Sequence, residues 1–222
     1  MNLEQLIAQF RVDATDLKTP YLFEDEWVAG WLTEAVAEAA IRGRLIMETA
    51  NPLVCQIAVV ADTAVYPLHQ ALFEIVNLRF KATGATRSDE VHLKTREELS
   101  RICPDWRDRD DRIEYAIQDD TRIQLVGMPK VAGVLYIEGY RVPLKALVND
   151  TDKPEINYSH HHHLVHWALH RAYGRTDADV FDPERAAGAE AKFTAYFGER
   201  PDSDLRRSTR HDEVQTNKVF WA

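Results

Sequence analysis

The sequence lacks most of the features that announce chemistry. Its 222 residues contain two cysteines, Cys55 and Cys103, with neither metal nor redox spacing, so folding in a reducing cytoplasm is expected. The nine glycines include no phosphate-binding loop, and no G-x-S-x-G nucleophile elbow occurs. No apolar run approaches the roughly 18–20 residues of a membrane span. The N-terminus MNLEQLIAQF is amphipathic and has no basic leader region, so it does not read as a signal peptide. Basic residues are outnumbered, 27 Lys and Arg against 36 Asp and Glu, for a formal charge of −9. That balance argues against broad, tight nucleic-acid binding. It is compatible with an acidic wall past which a duplex slides.

What remains is a chain with 45% hydrophobic and 28% charged residues, enough for a sizeable core. Asn2 and Gln5 resemble a capping box opening a first helix with Leu3, Leu6, Ile7 and Phe10 on one face. Pro20 closes a connector. Glu24, Asp25 and Glu26 then suit the N-terminus of a long second helix reaching about Glu48. Its stripe is Trp27, Val28, Trp31, Leu32, Ala35, Ala39 and Ile46, with Glu34, Glu38 and Arg42 spaced for i,i+4 pairing.

From Pro52 the period falls from 3.6 to 2. Cys55, Ile57 and Val59 read as one strand, Asp62 as a turn, and Ala64 to Tyr66 as the returning strand that Pro67 ends. Val76, Leu78 and Phe80 mark a third strand, and Val91 to Leu93 a short fourth. Thr95 to Glu98 is a capping box for a short helix bearing Leu99 and Ile102. The mixed charges of 107–112 read as a solvated loop. Tyr115 and Ile117, then Ile123 and Leu125, form a hairpin around Asp119-Asp120. That acidic pair could serve as a metal or acid/base dyad, but Asp is a standard turn former. Gly133 to Tyr140 is the strongest strand pattern, and residues 144–154 read as a linker.

The stretch EINYSHHHHLVHWALHRAYG (155–174) reads as one helix with Ser159 as N-cap and Gly174 ending it. Val165, Ala168, Leu169 and Ala172 share its core face. Leu164 and Trp167 point elsewhere, with His163, His166 and His170 on a flank. This predicts a second buried surface, assigned to a neighbouring subunit through His163, His166, Trp167 and His170. His162, His166 and His170 also form an i, i+4, i+8 ladder of the kind that binds zinc. A metal-assisted hydrolase is the alternative reading it offers. Against it, four consecutive histidines span about 300° of the helical wheel and cannot converge, and no HExxH pattern or nearby cysteine supports it. No catalytic constellation and no cofactor site is expected. Asp182-Pro183 caps a last helix with Ala186, Ala189, Phe193, Tyr196 and Phe197, ended by Gly198. Beyond it the chain is polar and aperiodic until Val219-Phe220-Trp221, an ending suited to anchoring in a partner.

The expected fold class is α+β: a four-helix bundle (1–50 and 150–198) with an inserted β-rich domain (51–149) and an extended C-terminal arm (199–222). Three stretches, LEQLIAQFRVDATDLKTPYLFEDEWVAGWLTEAVAEAAIRGRLI, CPDWRDRDDRIEYAIQDDTRIQLVGMP and KPEINYSHHHHLVHWALHRAYGRTDADVFDPERAAGAEAKFTAYFG, carry a resemblance. With the ending RPDSDLRR and its aromatic terminus, they are similar to the head-to-tail adaptors of short-tailed bacteriophages. The resemblance covers nearly the whole chain. It implies a non-enzymatic virion protein at the head–tail junction, assembled in the host cytoplasm as a homo-oligomeric ring of twelve. Such a ring binds the portal protein on one side and a tail protein (nozzle or tail tube) on the other. Genomic DNA passes through without sequence-specific binding, and no membrane is involved. The resemblance further implies that an arm including Leu205, Arg206, Arg207, Val219, Phe220 and Trp221 reaches along the portal. A stopper or tail-completion factor is the related alternative.

Overall fold

The structure is a computed structural model and describes residues 1–109, 112–176 and 180–201. In chain order its elements are α1 (Leu3–Ala14), α2 (Asp25–Gly43), β1 (Met47–Glu48), α3 (Pro52–Cys55), β2 (Gln56–Val59), β3 (Val65–Pro67), β4 (Leu72–Ala82), β5 (Asp89–Glu90), β6 (His92–Leu93), α4 (Arg96–Ile102), β7 (Tyr115–Gln118), β8 (Arg122–Val126), β9 (Gly133–Arg141), a 3₁₀ turn (Tyr158–His160), α5 (His161–Tyr173) and α6 (Pro183–Phe197). The architecture is α+β, with helices and two sheets. Two compact units divide it, one holding Met1–Glu48, Ala71–Glu74 and Tyr140–Glu199, the other Thr49–Gln70 and Ile75–Gly139.

In the first unit, α1 starts at a complete capping box. The Asn2 side chain accepts from Gln5 N at 3.0 Å, and Gln5 Oε1 accepts from Asn2 N at 3.1 Å. Thr15 takes the left-handed conformation that stops the helix. Leu3, Leu6 and Phe10 of α1, Val28, Leu32, Ala35 and Ala39 of α2, and Val165, Ala168 and Ala172 of α5 join Phe193 of α6 in one buried cluster. Such clustering follows from the helical spacing of each stripe, every large side chain contributing roughly 1.5–3 kcal/mol.

Helix α2 is shorter than its periodicity suggested. Arg44 turns left-handed, φ 49°, so the helix ends at Gly43, and Met47–Glu48 form β1 instead. Ile46 still enters the core, from beyond the helix. Trp27 lies outside the core, exposed, with the Arg175 guanidinium 4.2 Å above its ring. Arg42 pairs with Glu38 at 2.8 Å as spaced, while Glu34 pairs with Arg171 of α5.

One sheet runs β1-β9-β4-β5, with β2 also paired to β9; the other runs β3-β8-β7-β6. The β7–β8 hairpin is antiparallel, with Ile117 opposite Gln124. The helix α4 opens on the Thr95/Glu98 box and packs Leu99 with Cys103, Trp106, Ile117 and Val126. Three expectations fail in detail. Cys55 closes the single turn α3 rather than starting the strand. The strand β3 pairs with β8 rather than returning along β2. In β4 the buried residues are Leu72, Ile75, Leu78 and Phe80, while Val76 is exposed; their spacing of three, three and two shifts the buried face along the strand. Ile102 is likewise exposed, as the last residue of α4.

The stretch 144–154 is ordered rather than a slack linker. Its carbonyls at Asp152 and Asp150 accept from Leu3 N at 2.8 Å and Glu4 N at 3.2 Å, satisfying amides that a helix N-terminus leaves unpaired. Arg141, at the end of β9, is buried between Glu48 at 2.8 Å and Glu155 at 3.0 and 3.2 Å. Nothing local in the sequence marks that trio, whose members lie 93 and 14 residues apart.

Candidate functional site

The histidine-rich segment begins one element later than its pattern suggested. Asn157, not Ser159, is the capping residue: its side chain accepts from Ser159 N at 3.0 Å and from the Ser159 hydroxyl at 2.9 Å. A 3₁₀ turn takes His160, and α5 starts at His161. Gly174 ends the helix with φ −80°, not left-handed.

The four histidines then point to four environments. His160 Nδ1 lies 3.1 Å from the Tyr196 hydroxyl. His161 is buried; its Nε2 donates to the Ile156 carbonyl at 3.1 Å, which leaves Nδ1 to accept from the Met1 ammonium at 2.8 Å. His162 is exposed. His163 stacks on Tyr196 of α6, ring centroids 3.5 Å apart. Burial pushes the imidazoles of His161, His163 and His166 below their ordinary value, helped at His166 by Lys192. These rings are therefore neutral at physiological pH.

The ladder does not assemble either. His166 Nδ1 is buried without a hydrogen-bond partner, and His170 Nδ1 donates to the Ala186 carbonyl at 3.1 Å. Among the described residues no three His, Cys, Asp or Glu side chains are grouped to hold a metal ion. The Asp119 of the turn is engaged by Arg96, at 2.8 and 3.0 Å, and by Arg122 at 3.2 Å. Those contacts, Arg96 foremost, hold its carboxyl below the usual range.

Leu164 and Trp167 do not point away from the core: both lie in the same buried cluster as Val165 and Ala168, and Trp167 packs against α6 of the same chain. Leu164 is fully buried, and the Trp167 ring lies 5.1 Å from Phe193 and 5.3 Å from His170. The Arg42 guanidinium approaches both Trp167 and Phe193. Only the outer edges of His163, His166 and His170 are left for a neighbour. The arm residues Leu205, Arg206, Arg207, Val219, Phe220 and Trp221 lie outside the described residues, as does the Asp177-Ala178-Asp179 motif.

Comparison with known proteins supplies the role. The sequence profile of the SU10 adaptor protein family matches residues 1–216. The chain belongs to that family. No curated protein matches it. This adaptor is thus a structural, non-enzymatic virion protein of the head-to-tail junction, in contact with portal and tail components. Among its described residues no helix is long and apolar enough to cross a membrane.

Besides the Arg141 trio, sequence reasoning missed two polar features of the adaptor. Arg11 and Asp16 form a buried ion pair at 2.7 Å; the one available signal was an arginine directly after Phe10 on the core side of α1. The second is a groove along 145–155, which no periodicity could reveal in a segment without regular structure.

Proposed function

We propose that the adaptor closes into a twelve-fold ring beneath the portal protein, extends the channel through which genomic DNA passes, and offers its far side to a nozzle or tail-tube protein. The observation that carries this reading is the family match across residues 1–216. The charge of −9 supports a channel wall that does not retain DNA, because phosphates and carboxylates repel while a basic wall would bind them. As an architecture we infer a four-helix bundle (1–50 and 150–198), a β-rich insertion (51–149) and a C-terminal arm (199–222). The shared core of α1, α2, α5 and α6 supports the bundle.

In this reading the arm orders on the portal. Leu205, Arg206 and Arg207 run along it, and Val219, Phe220 and Trp221 anchor the end, large aromatics contributing disproportionately to such contacts. Ordering entropy offsets part of the gain, so the arm engages only where the portal supplies a groove. The exposed edges of His163, His166 and His170, beside Trp167, contribute to contacts between subunits.

The test is binding of full-length chain and of a chain ending at Gly198 to purified portal protein. Full-length protein binds and the truncation loses most of the affinity. Equal affinities would overturn the arm's role, and no binding by the full chain would overturn the portal assignment.

A further inference from the structure

The helices of the first unit define two ends. At one end Tyr173, closing α5, donates its hydroxyl to the Ala14 carbonyl at 3.1 Å, and Asp182, capping α6, donates its amide to the Tyr173 carbonyl at 3.1 Å. The α1–α2 connector lies at this end, tied back to Arg11 of α1. At the other end the Met1 ammonium donates to His161 Nδ1 at the start of α5, and His163 stacks on Tyr196 of α6. Arg42, in the last turn of α2, donates to the Thr194 hydroxyl at 2.8 Å. The chain leaves α6 at this second end, at Gly198.

The connector is a fixed apolar platform. Asp16 accepts from Arg11 at 2.7 Å, from Leu22 N at 2.9 Å and from Phe23 N at 3.2 Å. Arg11 also donates to the Phe23 carbonyl at 3.0 Å and to Asp25, and the Tyr21 ring lies 3.6 Å from its guanidinium. A buried ion pair returns little stability over apolar residues of the same volume. What this network does provide is a loop of set shape, with Leu17 and Leu22 held outward at 64% and 52% exposure. Val12, in the last turn of α1, and Phe181, just before the α6 cap, are exposed at the same end. Large apolar side chains grouped on a surface mark a contact, and a loop already in its bound shape loses less entropy on docking.

The origin of the arm decides which partner each end meets. Leu205 is seven residues beyond Gly198, a span of at most roughly 25 Å when fully extended. Helix α6, with 15 residues, is itself about 22 Å long. An arm whose Leu205, Arg206 and Arg207 run along the portal therefore places the portal at the end where α6 stops. To meet a portal at the connector instead, all seven residues would have to double straight back along α6, with none left to make the turn. We propose that the connector end faces away from the portal and is the docking surface for the tail protein, with Leu17 and Leu22 as its apolar contacts. Neighbouring copies meet side by side around the channel, so the end opposite the portal is the one left for the tail. The inference rests on the reading that the arm engages the portal, and it adds which surface takes the tail.

The test uses full-length protein carrying Leu17→Cys, labelled with benzophenone maleimide, assembled with purified portal and the purified nozzle or tail-tube protein, and irradiated. Position 17 is exposed, and the native Cys55 and Cys103 are buried. The expected photo-adduct is with the tail protein, whereas the same label at Tyr158→Cys, exposed at the arm's end, gives an adduct with portal. Leu17→Asp with Leu22→Asp should leave assembly on the portal unchanged and weaken tail binding at least about tenfold. An adduct of position 17 with portal, or with a second adaptor copy, would overturn the inference and leave the portal reading standing. Unchanged tail affinity in the double variant would also overturn it. A wild-type chain that does not bind portal would overturn the reading beneath it as well.

Discussion

The imidazole of His163 lies flat on the phenol ring of Tyr196, centroids 3.5 Å apart and planes inclined by 13°. The stack joins α5 to α6, and burial keeps this ring, with His161 and His166, less basic than an ordinary histidine. The unfolded chain then binds more protons than the native one below the ordinary value of 6.5. Stability is complete above that value and is lost as pH falls through the window down to the lowered native values. Urea unfolding at about pH 7.5 and about pH 5.5 should show this loss. His163→Phe, which keeps a ring on Tyr196 and removes one titrating group, should reduce it. A flat profile across that range contradicts the assignment. Asp119 and Glu155, held low by their arginines, act separately and at more acid pH.

Arg141 and its two carboxylates predict a large effect from one residue. The Arg141 side chain and its partner Glu48 are both close to fully buried. Arg141→Met leaves Glu48 buried without the guanidinium, and breaking such a pair costs about 3–5 kcal/mol. The denaturation midpoint should fall accordingly, with far-ultraviolet dichroism unchanged in buffer. A shift of less than about 1 kcal/mol would class the trio with ordinary surface pairs.

One substitution made at two glycines should have opposite signs. A Cβ at Gly133 would run into the Lys81 carbonyl oxygen and lie 2.7 Å from the Phe80 ring. Gly133→Ala therefore forces β9 away from β4 and should cost about 1–3 kcal/mol. A Cβ at Gly188, within α6, meets nothing within 4 Å. Gly188→Ala should stabilise by roughly 0.5–1 kcal/mol, the helical cost of glycine. Thermal unfolding of the two variants beside the wild type checks both signs.

The features legible in the sequence were those fixed by near neighbours. Asn2 with Gln5, Thr95 with Glu98, and Asp182 with Pro183 each set a helix start within three residues, and all three caps form. Errors arose where a distant partner decides. The strand β3 pairs with β8, more than fifty residues on, so a nearby turn at Asp62 gave the wrong partner. The helical wheel sets Trp167 off the core face, whereas it lies in the same buried cluster, because α6 of the same chain covers it. The overshoot of α2 has a local cause: Arg44 adopts the left-handed conformation that glycine usually supplies. Arg141 and Arg11 went unrecognised as buried hubs because each finds carboxylates through the fold rather than at helical spacing.

The central claim is that this adaptor builds a ring under the portal. It is tested most directly by mixing the purified full-length protein with purified portal protein and imaging the particles down the channel axis. The account predicts a closed collar of twelve copies on one face of the portal, with an open lumen. Single copies scattered around the portal, or a collar whose lumen is plugged, would contradict it.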